Sequence, residues 1–215
     1  MPLPADYYTK NRSDLATHLE GTAHRVLDIG CGTGNLGASL KRSNIATEVI
    51  GIELDARAAD TALATLDGVH LIDLSREPLP SDFGKFTAVF LADVLEHLPD
   101  PWRLLKDLHP HLTDDAQLIA SIPNISAVTV IYPLLFKDAF TYRDSGILDR
   151  THLRFFTRQS ALQLFRDTGY GAIVVGKNTV AVRRGPLLRA AAHLLGRLGT
   201  EQWLIKSSPD RAPTG

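Results

Sequence analysis

The chain of 215 residues is long enough to bury one good hydrophobic core, and we expect a single domain over residues 1–215. Its 23 lysines and arginines nearly balance its 24 aspartates and glutamates, which excludes the basic footprint of a nucleic-acid-binding protein and also an acidic tail. The single cysteine, Cys31, excludes an internal disulfide, and no apolar run reaches the roughly 18 residues of a membrane span, so we expect a cytoplasmic protein without a transmembrane segment.

Apolar runs alternate with segments of helical periodicity along the chain, which is typical of a parallel sheet joined by crossover helices. The predicted strands are mostly continuous apolar runs, and they cover residues 25–30, 48–53, 69–73, 87–92, 116–122, 172–175 and 202–206. The predicted helices cover residues 36–42, 56–66 and 101–112, and a further helix is capped by Thr157 and ends at Gly169. The predicted fold class is α/β, with a doubly wound, mostly parallel, seven-stranded sheet.

The most informative stretch is residues 26–34, Val-Leu-Asp-Ile-Gly-Cys-Gly-Thr-Gly, which reads as a strand, a tight turn and a helix start. Glycines let the backbone approach a ligand closely, and a helix N-terminus offers unpaired N–H groups. We therefore expect a nucleotide-type ligand at this turn.

The identity of that ligand depends on one acid. Gly32-x-Gly34-x-x-Gly37 also satisfies the dinucleotide fingerprint, so a nicotinamide-dependent oxidoreductase remains an alternative. Asp28, however, stands two positions before the first glycine, where a carboxylate would repel a diphosphate and suit a cation. S-adenosylmethionine fits better, because it carries an ammonium and a sulfonium and no phosphate.

Three segments in order carry a family resemblance: residues 28–34, the Gly-Ile-Glu-Leu-Asp of residues 51–55, and the Leu-Ala-Asp-Val-Leu-Glu-His-Leu of residues 91–98. They resemble the successive ligand-binding segments of class I S-adenosylmethionine-dependent methyltransferases over roughly residues 24–175. The resemblance implies a Rossmann-like fold, S-adenosylmethionine as cofactor and methyl transfer as activity. A cofactor-binding subunit without catalysis is the alternative that binding motifs alone leave open.

Ligands of such a sheet bind at the carboxyl ends of its strands, and these ends supply the expected cofactor contacts. The glycine turn, with Cys31 contributing backbone, would meet the aminoacyl part, and Asp28 its ammonium. Glu53 would accept both ribose hydroxyls, since a carboxylate has two acceptor oxygens. The complete expected set is Tyr8, Asp28, Gly30, Cys31, Gly32, Gly34, Glu53, Leu54, Asp73, Leu74, Ala92 and Asp93. In this set Asp73 and Leu74 would hold the adenine, Ala92 and Asp93 would lie near the methyl group, and Tyr8 would shield the sulfonium.

Residues 123–156 form a long excursion after the fifth predicted strand, rich in aromatic residues, which we interpret as a substrate cap. Within it, Leu-Asp-Arg-Thr-His-Leu-Arg-Phe-Phe resembles a segment of a bacterial methyltransferase subgroup often associated with glycan and cell-surface polysaccharide assembly. His152 could remove the proton of an alcohol acceptor, with Asp149 orienting it and Asp93 as a further candidate. The alternative is a buried polar network that fixes the cap to the sheet. We expect O-methylation of a small-molecule acceptor, such as a sugar, a glycan precursor or another secondary metabolite.

Three further segments complete the interpretation. Residues 1–24 resemble a lid over the cofactor, and residues 208–215 read as a disordered tail. Residues 185–199 form an amphipathic helical insertion, whose apolar face at residues 187–198 suits self-association, packing on its own domain or a membrane surface. No metal site is expected, because His109 and His111 flank Pro110 without a convincing ligand set.

Overall fold

The computed structural model describes residues 12–179 and 195–210. Its strands are β1 (Ala23–Ile29), β2 (Ala46–Glu53), β3 (Gly68–Leu71), β4 (Phe86–Ala92), β5 (Leu112–Pro123), β6 (Tyr170–Thr179) and β7 (Thr200–Pro209). Its α-helices are α1 (Ser13–Ala16), α2 (Asn35–Arg42), α3 (Ala56–Ala62), α4 (Pro101–Leu108), α5 (Val128–Lys137) and α6 (Arg158–Arg166). Short 3₁₀ helices cover Leu95–His97, His109–His111 and Gly196–Gly199.

All seven strands belong to one sheet with the order β3-β2-β1-β4-β5-β7-β6. The first five strands in chain order pair in parallel, and β7 runs antiparallel between β5 and β6. The chain moves outward from β1 through β2 to β3 and then crosses back to β4. The order therefore reverses between β1 and β4, and a crevice for ligands opens there at the carboxyl ends of the strands. The predicted fold class is confirmed.

Successive residues of β1 point into two different apolar layers, one on each face of the sheet. Leu27 and Ile29 belong to the layer that contains the buried side chains of α4 and α6. Val26 belongs to the layer that contains those of α1 and α2. All three side chains are fully buried. Burial on both faces is the reason that this strand appears in the sequence as a continuous apolar run.

Several predicted boundaries differ from the structure. Helix α3 ends at Ala62 instead of residue 66, and β3 ends at Leu71, so that Asp73 lies beyond the strand. Helix α4 ends at Leu108, because Pro110 has no N–H to continue the helix and the chain tightens into a 3₁₀ turn. The predicted cap at Thr157 is confirmed, with a reciprocal pair of hydrogen bonds to Ser160.

The prediction of a disordered tail over residues 208–215 is wrong at its start. Ser208 and Pro209 belong to β7, where they pair with Gly171 and Tyr170 of β6. The backbone N–H of Asp210 donates to the Gly169 carbonyl at 2.9 Å. These pairings come from a strand distant in the chain, so the local composition does not reveal them. The described residues do not include 211–215, residues 1–11 of the predicted lid with Tyr8, or residues 180–194, which contain residues 185–194 of the predicted helical insertion.

The predicted cap begins and ends side by side, because Asn124, just after β5, forms an isolated bridge with Phe156. It contains α5, where Leu135 and Phe136 are largely exposed. Among residues 12–179 and 195–210, no helix has both the length and the apolar character needed to cross a membrane.

Helix α2 packs closely on β2 through Gly37. A Cβ at this position would lie 2.5 Å from Cδ2 of Leu66 and 2.8 Å from Cγ1 of Val49. We expect Gly37→Val to lower the free energy of unfolding by at least about 2 kcal/mol in urea denaturation, because a well-packed layer does not admit added carbons. Ser39→Val places the same side chain on the partly exposed face of α2 and should change stability by less than about 0.5 kcal/mol. An equal loss of unfolding free energy in both variants would contradict the role of close packing at Gly37.

Candidate functional site

A glycine turn occupies the crevice at the carboxyl end of β1. Gly30, Gly32 and Gly34 have φ values of +69°, +55° and +81°, a left-handed region that strains residues with a Cβ. The backbone N–H groups of Gly30 and Cys31 donate to the Ile52 carbonyl at 2.8 and 3.1 Å, which anchors the turn to β2. The turn therefore presents backbone instead of side chains to the crevice.

Glu53, at the end of β2, holds this turn in place. Its Oε2 accepts from the backbone N–H of Gly32 at 2.8 Å. Its Oε1 accepts from the N–H groups of Leu54 and Asp55 at 2.7 and 2.9 Å. The side chain is 6% exposed. The sequence predicts a ribose contact for Glu53 but not this second role, because nothing in the local pattern shows that β1 and β2 end side by side.

Asp28 is a buried acid beneath the turn. It is 1% exposed, and within the described part of the chain its Oδ2 has no hydrogen-bond partner. Burial, followed by repulsion from Glu53, raises the pKa of Asp28 to about 7, and a hydrogen bond from the Gly37 backbone N–H opposes these effects. A group that is costly to ionise in the empty site can be ionised by a cation that binds above it.

Asp73 lies beyond the end of β3, although the sequence predicts that it ends this strand. Oδ1 of Asp73 accepts from the N–H and the hydroxyl of Ser75 at 3.0 and 2.5 Å, and Oδ2 is 3.3 Å from Nε of Arg76. The hydrogen bond from the Ser75 side chain is the main reason that the pKa of Asp73 is lowered. Leu74 is buried in the core, whereas Leu54 across the crevice is 65% exposed.

Asp93, immediately after β4, is a junction between distant segments. Its φ of +58° is unusual for a residue that is not glycine. Its Oδ1 accepts from the Ser121 hydroxyl at 2.9 Å and from the side-chain amide of Gln202. Its Oδ2 forms an ion pair with Arg12. The carboxylate therefore joins β4 to β5, β7 and the N-terminal segment.

Asp93 does not cap the 3₁₀ helix that follows, since that helix has no side-chain cap. Gln202 and Arg12 are functional candidates that the sequence prediction missed. Gln202 lies in a predicted strand and has no local motif, and only the antiparallel insertion of β7 brings it to this edge. Ala92, the neighbour of Asp93, ends β4 and is partly exposed.

The cap segment that carries Asp149 and His152 lies against the 3₁₀ helix after β4. The backbone N–H groups of Leu153 and Arg154 both donate to the Glu96 carbonyl, at 2.8 and 3.0 Å. Asp149 is buried, and its Oδ1 accepts from the N–H and the hydroxyl of Thr151 at 2.9 and 2.7 Å. Burial alone would raise the pKa of Asp149, but these hydrogen bonds outweigh burial and lower it.

His152 belongs to a compact cluster with Glu96 and His97. Nδ1 of His152 is 3.0 Å from the Ile147 carbonyl, and its Nε2 is 4.0 Å from Oε1 of Glu96. The rings of His97 and His152 meet edge to face, with centroids 4.7 Å apart. Burial, and then the charge of His152, lowers the pKa of His97, while the charge of Asp93 acts in the opposite direction. The structure thus brings the predicted His152 close to the strand end of β4.

Comparisons with known proteins show the family to which the chain belongs. A family model described as a methyltransferase domain matches residues 5–173. A ubiquinone biosynthesis O-methyltransferase from Xanthomonas axonopodis pv. citri (strain 306) is 29% identical over 164 residues, which cover 70% of this chain and 67% of that relative. An uncharacterized methyltransferase from Mycobacterium sp. (strain JLS) is 34% identical over 89 residues, 41% of this chain and 34% of that relative.

Solved structures share the fold. A SAM-dependent methyltransferase from Archaeoglobus fulgidus superposes with a TM-score of 0.63 at 15% identity, covering 92% of this chain and 91% of that chain. A SAM-dependent methyltransferase from Thermotoga maritima, described as a possible histamine N-methyltransferase, superposes with a TM-score of 0.61 at 20% identity, covering 94% of this chain and 88% of that chain. At such identities the similarity concerns the fold alone.

The protonation of Asp28 predicts a pH dependence of cofactor binding. Below pH 7 its carboxyl group is protonated in the empty site, so a cationic cofactor must displace that proton in order to bind. We expect the affinity for S-adenosylmethionine, measured by calorimetry, to rise about tenfold between pH 5.5 and pH 7. Asp28→Asn should bind more weakly and lack this rise. A wild-type affinity that stays constant over this interval would contradict a role for Asp28 in binding the cation.

Glu53→Gln should lower the free energy of unfolding of the cofactor-free protein by about 1–3 kcal/mol, because an amide nitrogen would then face a backbone donor. It should also weaken S-adenosylhomocysteine binding at least about tenfold. Glu48→Gln, on the same strand, removes a half-exposed ion pair with Arg25 and should cost less than about 1 kcal/mol. Unchanged stability together with unchanged affinity in Glu53→Gln would remove the residue from the site.

Proposed function

We infer that this chain, which belongs to the methyltransferase-domain family, transfers the methyl group of S-adenosylmethionine to a hydroxyl oxygen of a small molecule. Membership in the family sets aside the nicotinamide-dependent oxidoreductase that the glycine fingerprint left open. The similarity to a ubiquinone biosynthesis O-methyltransferase supports oxygen as the methyl acceptor.

The cofactor occupies, in this proposal, the crevice between β1 and β4. The glycine turn meets its aminoacyl part, and the buried Asp28 balances its ammonium. Glu53 binds the ribose as well as the turn through Oε2, which accepts only from the Gly32 N–H and so has a second lone pair, whereas Oε1 already accepts from two N–H groups. The exposed side chain of Leu54 is suited to pack against the adenine ring, and Asp73 and Leu74 line the far side of that ring.

The proposal of an oxygen acceptor rests on the cluster of Glu96, His97 and His152 beside Asp93. Methyl transfer is an in-line displacement, in which the protein positions the reactants and excludes water. A hydroxyl nucleophile must in addition lose its proton as it attacks. We infer that His152 accepts this proton. Its ring Nδ1–H donates to the Ile147 carbonyl, so its Nε2 carries the lone pair. Asp149 positions His152 through its backbone, since the His152 N–H donates to the Asp149 carbonyl at 3.0 Å.

Aromatic rings beside this cluster favour a flat or partly apolar acceptor. Phe155 lies 6.5 Å from the His152 ring, and it packs against Phe140 and Tyr142 with centroids 5.8 and 6.5 Å away. Both Phe140 and Tyr142 are partly exposed, so their faces are available for stacking. A phenol fits these rings directly. A sugar or glycan precursor, which the segment resemblance suggests, can stack on them through its C–H face.

A screen of acceptors tests the reaction class. The protein is incubated with methyl-labelled S-adenosylmethionine and parallel panels of phenols, catechols, sugars and amines, and products are identified by mass spectrometry. Label should appear on an oxygen of a phenolic or sugar hydroxyl. Transfer to amines alone would overturn the proposal of an oxygen acceptor.

The role of His152 has a test of its own. His152→Ala should lower kcat by roughly 10²–10⁴-fold and leave the affinity for S-adenosylhomocysteine within about twofold of wild type. His24→Ala, an exposed histidine in β1, serves as the matched control and should keep full activity. If His152 serves only to fix the cap, the variant should lose thermal stability and cofactor affinity together, and turnover per folded molecule should persist.

A further inference from the structure

Three side chains with metal-ligating atoms converge between the 3₁₀ helix after β4 and the cap. Glu96, His97 and His152 each offer one ligating atom, and these atoms lie within 4.8 Å of one another. Glu96 is 1% exposed and His152 is 8% exposed. The cluster thus places one carboxyl group and two imidazoles in a small, largely buried volume that adjoins the methyl-transfer site.

Backbone carbonyls decide which nitrogen of each imidazole carries the lone pair. Nδ1 of His152 lies 3.0 Å from the Ile147 carbonyl, and Nδ1 of His97 lies 3.3 Å from the Thr151 carbonyl. A carbonyl only accepts, so each Nδ1 is the protonated donor and each Nε2 is the atom able to bind a metal. A hydrogen bond from the second nitrogen to a carbonyl is the usual partner of a metal-binding histidine, because it fixes both tautomer and ring orientation.

The spacing of the three atoms suits a small cation after a modest contraction. Three atoms that lie within 4.8 Å of one another have a common centre at most about 2.8 Å from each, and imidazole and carboxylate ligands of zinc approach to about 2.0–2.2 Å. Each side chain would have to move by less than about 1 Å, which side-chain rotations can supply.

We propose that Glu96, His97 and His152 bind a first-row divalent cation of the zinc type. Two imidazoles and one carboxylate are the ligand set of catalytic zinc sites and of related iron sites, whereas Mg²⁺ and Ca²⁺ prefer oxygen ligands alone.

This inference rests on the proposed function and specifies how the acceptor is activated. Three protein ligands leave a coordination position for a hydroxyl oxygen, whose pKa a bound cation lowers. The hydroxyl proton leaves to water. The oxygen then attacks the methyl carbon, so that a C–O bond forms as the C–S bond breaks, and sulfur keeps the electron pair. His152 would act on the acceptor through the cation instead of taking the proton directly.

The proposal differs from the sequence prediction, which expected no metal site. His109 and His111, which flank Pro110, do not belong to this cluster. The ligands that converge come from two segments far apart in the chain, and only the packing of the cap on the 3₁₀ helix brings them together.

Cobalt binding tests the site independently of turnover. Metal-free protein without a polyhistidine tag is titrated with Co²⁺ in the absence of cofactor and acceptor, and the cobalt absorption bands are followed. We expect one equivalent to bind with a micromolar or lower Kd. Zn²⁺ should displace the cobalt, and Mg²⁺ at the same concentration should not. Displacement by Mg²⁺ as effective as by Zn²⁺ would overturn the assignment of nitrogen ligands.

Variants identify the ligands. Glu96→Gln, His97→Asn and His152→Ala should each weaken Co²⁺ binding by more than the roughly 10–100-fold that loss of an outer-shell partner costs, whereas His24→Ala should bind as wild type does. Circular dichroism checks that each variant is folded. If one variant at these buried positions does not fold, Co²⁺ binding by the other two variants tests the site. Binding that survives in the folded ligand variants overturns the site. Methyl transfer without cobalt binding would overturn the cation site alone. Cobalt binding without transfer to any hydroxyl acceptor would overturn the proposed function alone.

Discussion

The cofactor crevice depends on the carboxylate of Glu53. It accepts three backbone N–H groups, one from the glycine turn after β1 and two from the chain that leaves β2. A buried carboxylate is costly unless its oxygens are satisfied, and here the same bonds that satisfy it hold Gly32 in a left-handed conformation. The turn is therefore formed before a ligand arrives, and a cofactor that binds as proposed meets a surface that is already organised.

A second carboxylate, that of Asp93, holds segments together on the other side of the crevice. Asp93 bonds to Ser121 of β5 and Gln202 of β7 and pairs with Arg12 of the N-terminal segment. Its left-handed backbone aims the side chain into the sheet edge instead of along the following helix. Because β7 is inserted antiparallel between β5 and β6, a residue from near the C-terminus reaches an edge formed otherwise by parallel strands.

The cap brings His152 to the 3₁₀ helix after β4, where its ring meets that of His97. Its link to the sheet is made by backbone: Leu153 and Arg154 bond to the Glu96 carbonyl, and the carbonyl of Thr151 meets the ring of His97. Main-chain contacts of this kind fix the positions of Glu96 and His152 relative to one another, whatever their side chains bind. The cluster follows β4 and the glycine turn follows β1, so both lie at the carboxyl edge of two paired parallel strands.

The sequence by itself determined the layers of the fold and the cofactor turn, because both depend on local signals. Continuous apolar runs mark strands buried on both faces, and the three glycines around Cys31 mark a turn that only they can form without strain. The tertiary structure alone decided that Ser208 and Pro209 belong to a strand, that Glu53 supports the turn, that Gln202 and Arg12 meet Asp93, and that Glu96 lies beside His152. Each of these contacts joins segments that are distant in the chain or pairs backbone groups, and neither kind leaves a periodicity or spacing in the sequence that could reveal it.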